Sequence, residues 1–198
     1  MGTKRSGQSR RTGSSDGGSR STYIIVGLIA AVFLAGFITL VVVDVRQKAG
    51  STPPGDVKTY DVGPAGQHVE GDVDYPQSPP VGGKHNPVWQ NCGFYDQPVA
   101  DENAVHSLEH GAVWITYRPD LPQDQVDQLR DLAQSQTYVL VSPYPDLDSP
   151  VVASAWGKQV KLEGADDPDL ERFVRAYRQG PQTPEPGAAC TGGIGEPS

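Results

Sequence analysis

The sequence of 198 residues predicts a small α/β or α+β domain. It should have a mixed sheet of about four strands, two packed helices and a loop-rich N-terminal half, and should follow one transmembrane helix. Three observations carry this. An uncharged apolar run separates a basic tail from an acidic remainder, the second half of that remainder alternates strand-like and helix-like periods, and its first half is dense in Gly and Pro turns.

Residues 1–43 hold five Lys/Arg (Lys4, Arg5, Arg10, Arg11, Arg20) against Asp16 alone, which leaves 11 Lys/Arg against 23 Asp/Glu beyond them. Between the two lies Tyr23 to Val43, 21 residues without a charge or a Pro. At 1.5 Å per residue such a helix spans about 31 Å, the hydrocarbon thickness of a bilayer. A cleaved signal peptide is the rival reading, but its apolar core runs about 7–15 residues and ends in a small-x-small site. Here Asp44-Val45-Arg46 follows instead. Positive residues stay in the cytoplasm, so residues 1–22 read as a disordered basic cytoplasmic tail, 23–43 as a signal anchor in the lipid bilayer, and the acidic part as extracytoplasmic. The expected localisation is thus the plasma membrane, single-pass. Gly27, Ala31 and Ala35 share one helix face, a small-xxx-small pattern that allows a homodimer but also arises without meaning.

All 18 prolines follow the apolar run, and Gly50-Ser-Thr-Pro-Pro-Gly55 reads as part of a linker over 44–58. The folded domain is expected over 59–180. From Tyr60 to Asn103 turn chemistry dominates, as in Val62-Gly63-Pro64 and Ser78-Pro79-Pro80. Ala112–Tyr117 then reads as a strand, followed by a helix entered at Pro122 with Val126, Leu129, Leu132 and Ala133 on one face. Thr137–Ser142 is a second strand, and Val151–Trp156 with Gln159–Leu162 form a hairpin around Gly157-Lys158. A last helix is capped by Asp167, has Pro168 in its first turn, buries Leu170, Phe173, Val174 and Tyr177, and ends at Gly180. Ser149-Pro150 ahead of a strand resembles the cis proline of thioredoxin-like domains, although the C-x-x-C of dithiol chemistry is absent. Residues 181–198 read as a Pro/Gly-rich tail anchored at Cys190.

The acidic balance, with a pI of about 4.9, excludes a nucleic-acid partner, which needs Lys/Arg facing phosphates. Within the outer domain no Gly-x-Ser-x-Gly is present, and no phosphate-cradling Gly loop lies between a strand and a helix. Cys92 and Cys190 are expected to form a disulfide outside the membrane; the alternative is a Cys92 thiolate serving as a metal ligand. Trp89, Phe94 and Tyr95 beside Cys92 read as packing of the irregular half, with a pocket lining as the alternative.

All four histidines, His68, His85, His106 and His110, lie in the loop-rich half, and such clustering points to a metal site. In His106-Ser-Leu-Glu-His110-Gly111, a short helix with Asp101 as N-cap places two imidazoles four residues apart on one face, the spacing by which a helix ligates zinc or copper. His85 and His68 complete the candidate set, and Glu109 is a further ligand, an acceptor for a ligating histidine or a general base. The only Met is residue 1, which disfavours a soft Cu(I) site and leaves Zn(II) or Cu(II). The bland reading is that these rings bond backbone carbonyls and hold loops. His106-x-x-Glu109-His110 also matches the H-x-x-E-H of inverzincin metallopeptidases, but a strand follows at once and a metallohydrolase remains a minor reading; no catalytic residue is assigned.

The outer domain resembles DUF3105, a bacterial membrane-protein family of unknown function, on Pro79-Pro-Val-Gly-Gly-Lys-His85, Trp89, Gly93-Phe-Tyr95 and above all His106-Ser-Leu-Glu-His-Gly111 before a strand ending at Tyr117. The resemblance covers roughly 59–180. It implies a membrane-anchored envelope protein and groups His85, His106, Glu109 and His110 in one constellation. Function is therefore read as an envelope protein whose outer domain binds a transition-metal ion through the clustered histidines, the alternative being a non-enzymatic interaction or assembly module with an envelope protein partner.

Overall fold

The computed structural model describes residues 52–198 and, before them, only Tyr23, Ile24, Val26 and Ala31. The expected basic tail lies outside the described residues, as does the expected transmembrane helix apart from those four positions. Among those described, no helix is long and apolar enough to cross a membrane.

The domain is α+β. In chain order its elements are β1 (Lys58–Thr59), β2 (Gly93–Phe94), α1 (Asp101–Glu109), β3 (Val113–Tyr117), α2 (Gln123–Ser135), β4 (Val139–Pro143), β5 (Val151–Ala155), β6 (Lys158–Leu162) and α3 (Pro168–Tyr177). One sheet runs β1-β6-β5-β3-β4-β2. β3, β4 and β2 are parallel, joined in register such as Ile115 opposite Val141. The hairpin β5–β6 adds antiparallel to β3, with Ile115 opposite Ala153. The four expected strands are therefore present, but the sheet has six. The two extra strands, β1 and β2, are two-residue edges, too short to show a period of two. The expected two packed helices are three, because the helix over the histidine pair is a packed element in its own right.

Helices cover both faces of the sheet, which is why β3 and β5 read as nearly unbroken apolar runs rather than as alternating ones. Val113, Ile115 and Tyr117 of β3 pack with Leu129 and Ala133 of α2 and with Leu170, Phe173 and Val174 of α3. On the other face Trp114 and Leu140 meet Ala104, Val105 and Leu108 of α1. A nine-residue helix has little stability of its own. α1 is held by Val105 and Leu108, both fully buried, which contribute about 1.5–3 kcal/mol each.

Several local expectations need adjustment. The N-cap of α1 is Ala100, without a side-chain cap, and Asp101 is the first helical residue. There its carboxylate accepts from the Tyr144 hydroxyl at 3.0 Å. Asp167 does cap α3, accepting from Asp169 N–H at 2.9 Å, but the left-handed residue after that helix is Gln179 (φ 51°) rather than Gly180. The cis peptide bond among the described residues is Ser78–Pro79, not Ser149–Pro150.

Residues 181–198 form a strap laid against the domain, bonded at many more points than Cys190. Asn91 N–H donates to Ile194 O, Ile194 N–H to Trp89 O and Ser198 N–H to Phe94 O, at 2.9, 3.0 and 2.9 Å. The strap thereby satisfies backbone groups at the β2 edge, which turn-rich composition alone did not foretell. Cys92 and Cys190 are joined by a disulfide, with Cα atoms 5.4 Å apart.

Candidate metal centre

Three imidazoles and one carboxylate meet between α1 and the loops that precede it. His68, His85, His106 and Glu109 each offer a donor atom, and these atoms all lie within 4.8 Å of one another. The ring centroids of His68, His85 and His106 form a triangle with every side 4.9 Å. Imidazoles bonded to one tetrahedral ion at about 2.0–2.1 Å place their centroids roughly 5 Å apart, so the rings already stand at ligating separation. An ion would draw the donor atoms, now within 4.8 Å of one another, toward the roughly 3.4 Å of a tetrahedral set.

The backbone aims each ring. His106 and Glu109 are three apart on α1 and thus share a face. His68 and His85 sit side by side in an isolated parallel bridge, with Val69 N–H donating to His85 O at 2.8 Å and His85 N–H to Gln67 O at 3.1 Å. His85 Nδ1 lies 2.7 Å from Gly83 O, and His106 Nδ1 lies 2.7 Å from Asn86 O. A carbonyl only accepts, so both Nδ1 atoms carry hydrogen and both Nε2 atoms present lone pairs when the rings are neutral. That is the orientation that metal-bound histidines take, with the second nitrogen donating to a carbonyl.

One contact then stands out chemically. His85 Nε2 is 3.0 Å from Glu109 Oε2, and both side chains are 0 % exposed. With Nδ1 committed to Gly83 O, the neutral ring faces the carboxylate lone pair to lone pair, which a buried site tolerates only with a proton or a cation between them. The other carboxylate oxygen, Oε1, accepts from Gly66 N–H at 2.6 Å. His68 Nε2 lies 3.8 Å from Oε2 and its side chain is 42 % exposed. It is therefore the candidate ligand on the solvent side of the group.

Burial pushes the His106 ring down to about 4, against the Asn86 carbonyl, which favours the charged form; His110, His85 and His68 push it down further. The ring is neutral at neutral pH, the form that ligates.

His110 stands apart from the group of four. Its Nδ1 lies 2.6 Å from Ala189 O, its Nε2 3.6 Å from Glu185 Oε2, and its ring packs edge-on to His106 with centroids 4.5 Å apart. His106 and His110 thus bond separate carbonyls, as the bland reading requires, but each bond uses one nitrogen and leaves the other. The pair that α1 contributes to the group is His106 with Glu109, not His106 with His110. This removes the arrangement behind the H-x-x-E-H match, in which both histidines hold the metal and the Glu stays free. Backbone partners at Gly66, Gly83, Asn86 and Ala189 escaped sequence reading because a carbonyl or N–H has no side-chain signature. Glu185 escaped it because it sits in the Pro-rich segment. Trp89, whose ring lies 5.1 Å from that of His110, and Trp156, 5.9 Å from His85, wall the site.

The family model described as "Protein of unknown function (DUF3105)" matches residues 68–192, more than half of the chain. The chain belongs to the DUF3105 family. The DUF3105 match begins at His68 and runs past Cys190, so it takes in all four histidines, Glu109, both cysteines and the first part of the strap. No curated protein and no solved structure matches the chain.

Proposed function

We propose that this DUF3105 domain binds a divalent transition-metal ion, Zn(II) or Cu(II), through His68, His85, His106 and Glu109, as the extracytoplasmic part of a single-pass envelope protein. The observation that carries the reading is the buried His85–Glu109 contact at 3.0 Å, whose two facing acceptors an ion would satisfy together. Three neutral nitrogens and one carboxylate suit Zn(II) or Cu(II), and the absence of thiolate and thioether donors from the group disfavours Cu(I). Their hydrogen-bonded Nδ1 atoms fix His85 and His106 before metal arrives, and the half-exposed His68 offers the entry path.

A second reading draws on the same contact. A proton shared between His85 and Glu109, with Gly66 N–H on the other carboxylate oxygen, would make the cluster a purely structural network within an interaction module. Metal content separates the two. Purified full-length protein is expected to carry about one equivalent of Zn or Cu by mass spectrometry, and His85→Ala/His106→Ala none. No metal in the wild type, even after incubation with Zn(II) and Cu(II), would leave the structural network.

A further inference from the structure

The segments that hold the ligands converge on the disulfide. α1 carries two of the four ligands, and the carbonyls at its end have no partner within the helix. The residues just after the helix bond three of them, and the strap and the residues leading into it hold the last, Glu109 O, and the two carbonyls that follow. Glu185 N–H donates to Glu109 O at 3.1 Å and Gln179 N–H to Gly111 O at 2.9 Å, while the Gln179 side-chain amide donates to His110 O. Ala189 O holds the His110 ring against His106, and Cys190 is the next residue.

On the other side, Cys92 ends the stretch 85–92. That stretch supplies His85, the Asn86 carbonyl that orients His106, and Gln90. The Gln90 N–H donates to Asn103 O at 3.0 Å, and its carbonyl accepts from the Ser107 hydroxyl at 2.7 Å. The disulfide thus ties together the two segments that grip the ligand-bearing helix, one along its flank and one at its end. Cys92 is half-buried and Cys190 buried, and both border an open cleft of about 440 Å³ lined also by Gly93, Thr137, Tyr138 and Thr191, the side from which a small thiol would approach.

We propose that the Cys92–Cys190 disulfide is a redox latch on the metal centre: reducing it weakens metal binding, and bound metal in turn protects it. The proposal rests on the metal-binding reading above and adds its regulation. The reductant class is thiols. One thiolate attacks a cysteine sulfur and forms a mixed disulfide, expelling the other cysteine as a thiolate that takes up a proton. A second thiolate then attacks the reductant's sulfur in that mixed disulfide and releases the remaining cysteine, so that two thiols are oxidised to one disulfide and Cys92 and Cys190 end as two thiols. The coupling must be reciprocal, because both events act on one equilibrium between gripped and loosened ligands.

The test uses the full-length chain in detergent, with free Zn(II) fixed by a metal buffer. Oxidised wild type is expected to bind Zn(II) at least tenfold more tightly than Cys92→Ser/Cys190→Ser. In a His110→Phe background, which keeps the disulfide but removes the ring's bond to Ala189, the serine replacements are expected to cost much less than that, as a double-mutant cycle reads directly. If circular dichroism finds the serine variant unfolded, the converse measurement on wild type decides. The fraction of intact disulfide in a glutathione redox buffer is expected to rise when Zn(II) saturates the site. Equal affinity in oxidised wild type and folded serine variant, or a disulfide no better protected with Zn(II), overturns the latch and leaves the metal centre standing. Oxidised wild type that binds neither Zn(II) nor, in the same assay, Cu(II) overturns the metal centre, and the latch with it.

Discussion

His106 joins burial to chemistry. Its ring is almost fully buried, donates through Nδ1 to Asn86 O and is pushed down to about 4, whereas in an unfolded chain it titrates near 6.5. Above that unfolded value neither state takes up a proton and the contribution to stability is complete. As pH falls through the window from 6.5 toward 4 the unfolded chain gains a proton that the folded ring refuses, so stability is lost, by an amount on the order of 3 kcal/mol. Asp101 opposes this. Burial raises it to about 6, against the Tyr144 hydrogen bond and with Glu102 adding to the rise, so this carboxyl favours the folded state most at low pH and its contribution is lost as pH rises through 6. Denaturant unfolding of metal-free protein at pH 7 and pH 4.5 is expected to show a steeper acid loss for wild type than for His106→Gln. Equal slopes would mean that the ring titrates normally. Sequence clustering singled out this residue and its neighbours because histidines are scarce and four fell together. Which of them converge was not legible, since spacing along a helix says which face a ring occupies and not which loop crosses it. Thus His110, four residues from His106, bonds Ala189 of the strap, while Glu109 turns to His85 and Gly66.

At the scale of elements, α1 gives the clearest case of a short helix made rigid by what surrounds it. Its C-terminal turn passes into Gly111 at φ 95°, against which the Gln179 amide and Thr183 are packed. A Cβ at Gly111 would meet Thr183 Cγ2 at 2.9 Å and Oγ1 at 3.0 Å and would also collide with the Gln179 amide, in a backbone region that disfavours side chains. Gly111→Ala is therefore expected to cost about 2 kcal/mol or more from strain and lost packing. Because the displaced contacts belong to the strap that caps α1, the same variant should weaken metal binding, which calorimetry with Zn(II) would read beside the melting temperature. A melting temperature within a degree of wild type would mean that the strap yields without resistance. The central strands and α2 and α3 were legible because their apolar periods are long and their punctuation is conventional, as in Asp167-Pro168 before α3. β1, β2 and the strap were not. Each is held mainly by main-chain hydrogen bonds to sequence-distant partners, such as Asn91 N–H to Ile194 O, and main-chain pairing leaves no residue-type pattern.

At the scale of the molecule, charge, redox state and metal chemistry all bear on the proposed arrangement. The five basic residues before the apolar run and the net −12 after it predict that the domain faces away from the cytoplasm. A disulfide between residues 98 apart in sequence is the usual mark of an oxidising compartment, and closing so long a loop stabilises the fold by about 4–5 kcal/mol on the chain-entropy account. The two arguments are independent, one resting on Lys and Arg beside the apolar run and the other on sulfur oxidation, and both support the proposed extracytoplasmic position of Cys92 and Cys190. In cells with an intact plasma membrane, a membrane-impermeant phosphine followed by an impermeant maleimide is therefore expected to label both cysteines. Without the phosphine neither should react, and the labelled chain should stay in the membrane fraction after alkaline carbonate washing. Labelling that needs lysis would put the domain in the cytoplasm. There reducing thiols would keep the cysteines open and the strap unpinned from the stretch 85–92, and the metal centre would have to hold its geometry on α1 and the His68–His85 bridge alone.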